Sequence, residues 1–282
     1  MLSADDFDEL RTCDEFSPPD MLKDGWEHLT NEPTVQGFAR DFADSGLKQI
    51  RATAVCFGAR PEQVFNCIWD FDLSRKWGDA WDESIIIEQV DPLNECIYLR
   101  APLPSGVTLR DFVQFRGCQF DRAVDPNFCL ILFRNAAHPK YPLEYTAKRG
   151  YIRGETLGII GYSVRAIPIP AGTSPDVFAN RERIACRVSI TTCFDLKGLI
   201  PRWLVNWVAG KAPITWAVNL QKAVDKGLGK QTDNSPLNAQ PVPNVLVLKP
   251  AAADASVGAA TAAASAEYPS TVPVRRISRP NQ

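Results

Sequence analysis

One stretch near the C-terminus, LIPRWLVNWVAGKAPITWAVNL from Leu199 to Leu220, constrains the fold most because its large apolar surface must be buried. It contains three tryptophans, yet Arg202, Lys211 and two prolines interrupt it. A membrane-spanning helix needs about 20 nearly uninterrupted apolar residues, so the charges argue against a span. We therefore expect this stretch to pack against the rest of the chain, a ligand or a membrane surface.

The spacing of its apolar residues predicts a long amphipathic helix. Gly198 and Pro201 mark the helix start, since proline is tolerated in a first turn, and Pro213 is expected to kink the helix. At 100° per residue, Arg202 and Asn206 lie opposite one apolar face. That face comprises Ile200, Trp203, Leu204, Trp207, Val208, Ile214 and Val218. The helix closes the folded part of the chain, and its apolar face needs a partner.

The residues before this helix are predicted to form mainly strands, with one helix beginning at Pro61. The predicted strands include GLKQIRATAVCFG, ESIIIEQVD, ECIYLRAPL, TLRDFVQFRGCQFD, NFCLILFRN and RERIACRVSITTCFD, with two more around Gly158. The second and third of these strands form one predicted hairpin, and the fourth and fifth form another. Consecutive strands joined by short turns favour an antiparallel sheet and hence an α+β fold.

Composition limits the classes of partner. The net charge of −2 and the pI near 5.8 give no general attraction to phosphate backbones, so no nucleic-acid partner is expected. The N-terminus MLSADDFDELRTCDEF lacks the basic and apolar regions of a secretory signal, which predicts a cytoplasmic protein. Eight cysteines contain no C-x-x-C pair, so we expect reduced, buried thiols and no metal site.

The two ends of the chain differ from its middle. Residues 1–23 are expected to form an N-terminal helical segment, and residues 231–282 an Ala-, Ser- and Pro-rich tail that is too poor in large apolar side chains to fold. The tail contains RRIS, in which Ser278 follows two arginines, as a basic-directed kinase would require. The alternative is a solvated tail without this modification.

Several motifs in order resemble the START domains, the lipid-transfer domains related to the steroidogenic acute regulatory protein. The resemblance covers roughly Asp24 to Leu228. The motifs are DGWEHL, LSRKW, ECIYLRAPLPSGVTLRDFVQFR, RGYIRGET and FDLKGLIPRWLVNWVAGKAP. The resemblance implies a START lipid-binding domain over residues 24–230 with a helix-grip fold. In that fold a curved antiparallel sheet wraps around a long C-terminal helix and encloses an apolar tunnel for one lipid.

The strand LRDFVQFRG is the first candidate for a tunnel wall. Its alternation places Arg110, Phe112, Gln114 and Arg116 on one face, which suits a tunnel that holds an apolar tail and meets a polar head. The family resemblance implies that Arg116 projects into the tunnel and makes the Arg110–Asp111 pair a signature. The alternative for Arg116 is a surface arginine at a strand end.

A buried arginine stays charged and needs a partner. In sterol-binding members of the family an acid lies 19 residues before the arginine, and this position is Ile97 here. Glu95, two residues earlier on the same strand face, is one substitute. Water or a ligand phosphate is another, and a phosphate would favour a phospholipid over a sterol.

The resemblance also assigns further candidate residues. The three aromatic cage positions of a phosphatidylcholine-binding member fall on Leu99, Phe112 and Leu157, so two of the three are aliphatic, and Arg75 lies near that member's phosphate position. From the closing helix, Val208 is expected to line the tunnel. Trp203, Leu204 and Trp207 are expected to contact the bilayer when the helix opens, since tryptophan suits a membrane interface.

Catalytic patterns are weak in this sequence. His28 and His138 lie outside any G-x-S-x-G or cysteine-nucleophile context, and Asp82 with Glu83 is a charged pair before a strand. The glycines of GETLGIIG do not form a dinucleotide motif. We therefore expect a non-enzymatic protein without a cofactor that binds one lipid, contacts membranes transiently and transfers the lipid between them. The alternatives are a lipid sensor whose tail or partner contacts respond to the ligand, and a hydrolase or cyclase.

Overall fold

A large, almost entirely antiparallel sheet forms the body of the protein. The computed structural model describes residues 2–14, 18–77, 81–101, 103–120, 128–198, 202–230 and 235–239, with the backbone alone at residues 18, 19, 44 and 202–213. All of these residues belong to one unit, Met1–Pro243. The described strands are β1 (Glu27–Glu32), β2 (Val35–Phe42), β3 (Leu47–Phe57), β4 (Glu83–Asp91), β5 (Asn94–Ala101), β6 (Arg110–Phe120), β7 (Phe128–Asn135), β8 (Ile152–Arg153), β9 (Glu155–Thr156), β10 (Ile160–Ile167), β11 (Ala185–Thr192) and β12 (Phe194–Asp195).

Within the described ranges the main sheet has ten strands in the order β1-β2-β3-β11-β10-β7-β6-β5-β4, with β8 added parallel to β6. Strands β9 and β12 pair separately. Both predicted hairpins are confirmed, because β4 pairs with β5 and β6 pairs with β7 in antiparallel ladders. The α+β fold class predicted from the strand pattern is therefore confirmed.

Six helices lie in the described part of the chain. They are α1 (Ala4–Cys13), α2 (Pro18–Lys23), α3 (Pro61–Trp69), α4 (Phe71–Trp77), α5 (Leu143–Lys148) and α6 (Arg202–Asp225), besides three short 3-10 turns. The predicted helix at Pro61 is α3, and its apolar residues Val64, Phe65 and Trp69 are buried. None of the helices in the described ranges is long and apolar enough to cross a membrane.

The C-terminal half of α6 packs across the inner face of the sheet, defined here as the face that α6 covers. Leu220 and Val224 join one core with Cys56 of β3 and Val188 of β11. Side-chain amides fix this end of the helix: Gln63 Nε2 donates to the carbonyl oxygens of Val224 (3.2 Å) and Leu228 (2.9 Å). This end of the closing helix therefore packs on the sheet, which is one of the three partners that the sequence left open.

The orientation of α6 differs from the sequence-based expectation at Val218. This residue is 45% exposed, whereas Ala217, Leu220 and Val224 are buried. Ala217 packs against Ala54 of β3. Successive helix residues point about 100° apart, so the rotation that places Ala217, Leu220 and Val224 on the sheet leaves Val218 facing outward. The helix continues through Pro213 as one element, and the predicted kink there stays a prediction.

The folded part extends past the predicted boundary at residue 230. Pro236–Ala239 forms a 3-10 turn, and Leu237 is buried in the same core as α3 and α6. Ser235 Oγ donates to Asn66 Oδ1 of α3 at 2.6 Å. Composition alone did not indicate that Leu237 is buried in the core. Residues 235–239 therefore belong to the folded part of the chain and not to a tail. The remaining predicted tail, including Ser278, lies outside the described residues.

All eight cysteines are free and buried, as the sequence predicts. Burial raises the pKa of Cys67 to about 12 and that of Cys193 to about 11, so both thiols stay protonated at neutral pH. They serve as small core side chains.

Candidate functional site

Three of the predicted site residues form one apolar cluster on the inner face. Ile97 and Leu99 of β5 lie beside Phe112 of β6, and all three are buried. The register explains this arrangement, since Leu99 pairs directly with Phe112. The ring of Phe112 meets Trp81 and Phe194 edge to face, each at a centroid distance of 5.5 Å. Strand alternation predicted the face of Phe112, and the family resemblance pointed to Ile97 and Leu99, whereas Trp81 and Phe194 were missed.

Arg116 of β6 lies at the edge of this cluster and is 1% exposed. Its Nε donates to Glu95 Oε1 at 2.8 Å, and its Nη2 donates to the same oxygen. Glu95 is also 1% exposed and lies directly opposite Arg116 in the β5–β6 ladder. Glu95 therefore supplies the acid that Ile97 lacks, and the alternative of a surface arginine is wrong.

Two aromatic rings complete the environment of Arg116. Its guanidinium carbon lies 4.0 Å from the centroid of the Trp69 ring and 4.3 Å from that of the Phe71 ring. A cation over an aromatic face is stabilised more strongly when water is excluded. The site therefore contains a compensated ion pair packed on aromatic rings, and a ligand phosphate is not needed to neutralise Arg116. The sequence signal for Trp69 was its place on the apolar face of α3.

Gln114 extends the polar part of the inner face. It is buried, and its Nε2 donates to Thr156 Oγ1 at the long distance of 3.4 Å. Asn135 of β7 makes three hydrogen bonds to Thr156. Its Oδ1 accepts from the Thr156 N–H and hydroxyl, each at 2.9 Å, and its Nδ2 donates to the Thr156 carbonyl at 2.8 Å. This polar row was not predicted from the sequence, because Asn135 and Thr156 lie on separate strands.

Leu157 and Arg75 lie outside the buried cluster. Leu157 is half-buried next to Thr156, and its N–H donates to the carbonyl of Cys193 at 2.9 Å. Arg75 is exposed on α4, where Nη2 contacts Asp72 at 2.5 Å and Nη1 donates to the carbonyl of Ser84 at 3.2 Å. The structure thus places Arg75 on the surface of its helix.

The signature pair Arg110–Asp111 has two separate structural roles. Arg110 Nε and Nη2 donate to the carbonyl oxygens of Leu196 and Lys197, each at 3.0 Å, and hold the segment that precedes α6. Asp111, on the opposite face of β6, pairs with Arg153 at 2.9 Å. Burial lowers the pKa of Arg110, but an arginine pKa lies so high that the side chain stays charged.

Four predicted residues of the closing helix lie outside the described side chains. Trp203, Leu204, Trp207 and Val208 belong to α6, of which only the backbone is described at these positions. Their expected contacts with lipid or bilayer stay predictions.

The titratable groups considered for catalysis lie in contacts near the surface. His138 Nε2 is 3.0 Å from Glu88 Oε2, and Glu88 is largely exposed. Asp82 and Glu83 both pair with Arg100, at 2.9 and 2.7 Å. None of these contacts reaches the apolar cluster of Ile97, Leu99 and Phe112.

Solved structures share this fold. Human STARD10 is 20% identical, with a TM-score of 0.61 over 79% of this chain and 80% of that chain. Human StAR-related lipid transfer protein 5 is 18% identical, with a TM-score of 0.60 over 80% of this chain and 99% of that chain. The human StarD13 (DLC2) lipid transfer and protein localization domain is 16% identical, with a TM-score of 0.53 over 79% of this chain and 98% of that chain.

The comparison of sequences agrees with the comparison of folds. No curated protein matches the chain. The family model of the START domain matches residues 11–228, which is most of the chain and includes α3, the whole inner face of the sheet and α6. The helix-grip fold predicted from the ordered motifs is therefore confirmed, and the chain belongs to the START domain family, whose members bind and transfer lipids.

Proposed function

We propose that this protein binds a single lipid between the inner face of the sheet and α6 and carries it between membranes without chemical change. The observation that carries the proposal is the buried cluster of Ile97, Leu99 and Phe112 next to the Arg116–Glu95 pair. The apolar side chains suit acyl or ring carbons, and the polar pair suits one polar group of the ligand.

The charge of the site favours a ligand whose polar part has no net charge. Arg116 is already neutralised by Glu95, so an anionic group would meet a site with no surplus positive charge. The preference for a phospholipid over a sterol rests on an unpaired Arg116, and the ion pair removes that support. We propose a zwitterionic phospholipid or a hydroxyl-bearing lipid rather than an anionic one.

A carrier is useful because exposing the tail of a lipid to water costs free energy. Each methylene group removed from water contributes about 0.8 kcal/mol, so a long-chain lipid leaves a bilayer slowly without a carrier. A protein that shields the chain lowers this barrier if α6 can open. Trp203, Leu204 and Trp207 are proposed to contact the bilayer at that step, and Val208 to contact the bound lipid.

The first experiment is native mass spectrometry of the full chain purified from cells, with identification of the bound lipid, followed by transfer between vesicles. We expect one lipid per chain and transfer that depends on protein concentration. An empty protein that takes up nothing from mixed vesicles would overturn the proposal.

Glu95→Gln tests the charge of the ligand. The substitution leaves Arg116 as an uncompensated positive charge, so we expect the variant to shift from net-neutral lipids toward anionic phospholipids in competition between vesicles. Asp82→Asn, which alters an acid near the surface, is the matched control and should keep the preference of the unaltered protein. An unchanged preference in Glu95→Gln would show that the pair does not meet the ligand.

A lipid sensor is the alternative function. Its motivation is the RRIS sequence ending at Ser278, which lies outside the described residues. Tight lipid binding with negligible exchange between vesicles favours the sensor, whereas rapid exchange favours the carrier.

A further inference from the structure

The outer face of the sheet, opposite α6, contains a group of cationic and hydroxyl side chains that lipid binding does not use. Strands β10 and β11 place Ser163 opposite Ser189 and Arg165 opposite Arg187 in the ladder. Two arginines directly opposite each other on one face repel. An anion between them removes this repulsion, and the two serines add hydrogen-bond donors beside it.

The chain's own Asp14 supplies that anion. Asp14 is the C-cap residue of α1, directly after Cys13, and its side chain is 2% exposed. Its Oδ1 accepts from Ser163 Oγ at 2.7 Å and from Ser189 Oγ at 3.2 Å. Its Oδ2 accepts from Arg165 Nε at 2.8 Å and from Arg187 Nη2 at 3.0 Å. The four donors therefore surround one carboxylate completely.

More donors are present than Asp14 uses. Among the described side chains, Thr53 Oγ1, Arg187 Nε and Arg51 Nε are buried without a hydrogen-bond partner. Thr53 is 8% exposed and lies directly opposite Ser189 in the β3–β11 ladder, on the same face. Asp14 has two carboxylate oxygens, and each already accepts two hydrogen bonds. A tetrahedral oxyanion offers additional acceptors to such donors.

We propose that Ser163, Ser189, Arg165 and Arg187 form an oxyanion-binding site on the outer face, for which Asp14 is the internal ligand. The site takes a phosphate group, with Thr53 and Arg187 Nε as additional donors. Because Asp14 belongs to the segment that docks α1, an external phosphate and the N-terminal helix compete for the same four side chains. The inference does not depend on lipid binding at the inner face.

Chemical rescue of Asp14→Ala in the full chain tests the site. Removing the carboxylate takes away the negative charge that lies between the two facing arginines, so we expect the melting temperature to fall by about 5–10 °C. Inorganic phosphate should restore most of this loss, whereas chloride at equal ionic strength should not. The triple variant Asp14→Ala, Arg165→Gln, Arg187→Gln should show no rescue. The proposal is overturned if neither inorganic phosphate nor vesicles that contain phosphatidic acid stabilise Asp14→Ala more than chloride does.

Two further measurements distinguish free phosphate from a lipid headgroup and keep the proposal testable if Asp14→Ala does not fold. Rescue by inorganic phosphate identifies a site for free oxyanions. Rescue only by phosphatidylcholine vesicles containing phosphatidic acid, and not by phosphatidylcholine alone or in the triple variant, identifies a lipid headgroup at this site. In the unaltered protein, phosphate should increase hydrogen exchange of the α1 amides relative to chloride, while exchange in α3 stays constant. The proposal fails if neither inorganic phosphate nor vesicles containing phosphatidic acid change the exchange of α1.

Discussion

At the scale of single residues, the Arg116–Glu95 pair dominates the candidate site. Both side chains are almost fully buried, and Trp69 and Phe71 cover the guanidinium. Removing charges from water is costly, and the cost is offset only while both partners are present. The pair therefore makes one part of the candidate site polar, and each buried charge is stable there only while the other is present.

Arg116→Leu should destabilise the protein by about 3–5 kcal/mol, because it leaves Glu95 buried without a counter-charge. The double variant Arg116→Leu, Glu95→Leu should recover most of this loss, since it removes both charges and keeps apolar volume beside Trp69. Urea unfolding of the single and double variants measures both effects. A double variant as unstable as Arg116→Leu would show that packing, and not the orphaned carboxylate, causes the loss.

At the scale of elements, α1 and α6 are held on opposite faces of one sheet. Helix α6 is fixed by apolar packing, by the side-chain amides of α3 and by an ion pair between Asp225 and Arg181, whose side chains are 34% and 30% exposed. Helix α1 packs Phe7 and Leu10 against Phe128 and Leu130 of the outer face, and Asp14 adds a charged contact at its end. Because the carboxylate of Asp14 is buried whereas that of Asp225 is partly exposed, the docking of α1 should be the more sensitive of the two to pH.

The docking of α1 should weaken in acid. Burial alone would raise the pKa of Asp14, but hydrogen bonds from Ser163 and Arg165 and the charge of Arg187 outweigh it and hold the pKa below its ordinary value of 3.8. A lowered pKa means that the contribution to stability is complete above the ordinary value and is lost as pH falls through the lower one.

Hydrogen exchange of the α1 amides, compared with those of α3 over the same acidic range, measures this loss. Asp14→Asn is the control and should show a smaller change, which then reflects the other ion pairs of α1, Asp6–Arg134 and Asp8–Arg11 among them. Protection of α1 that stays constant in the unaltered protein through this range would contradict the expectation.

At the scale of the whole molecule, the folded part includes the 3-10 turn at Pro236–Ala239. This turn lies beyond the START match at residues 11–228. Leu237 is 7% exposed in the core, and Ser235 hydrogen bonds to Asn66 of α3. Burial of one leucine contributes about 1.5–3 kcal/mol.

Ending the chain after residue 234 should therefore lower the free energy of unfolding by about 2–4 kcal/mol, the sum of one buried leucine and one buried hydrogen bond. Ending it after residue 243 keeps the turn and serves as the control, with stability equal to that of the full chain. Urea unfolding of the two shortened chains checks the difference. Equal stability of both would place the turn outside the cooperative fold.

The amino-acid sequence by itself determined the features that depend on local backbone geometry. Strands alternate with a period of two and helices with 3.6, so the hairpins, α3 and the closing helix follow from apolar spacing. The same alternation placed Phe112, Gln114 and Arg116 on one face. The family resemblance pointed to position 97 for the partner of Arg116, and alternation then made Glu95, on the same strand face, a candidate. The ordered motifs then indicated the START domain family.

Tertiary structure decided which distant residues meet. The β5–β6 register selects Glu95 over a ligand phosphate as the partner of Arg116, and the rotation of α6 that buries Ala217 leaves Val218 facing outward. The docking of α1 brings Asp14 to β10 and β11, far along the chain. These contacts depend on register and on the rotation of packed elements. Neither is encoded in the spacing of a single segment, because both are set by the free energy of burying all the segments together.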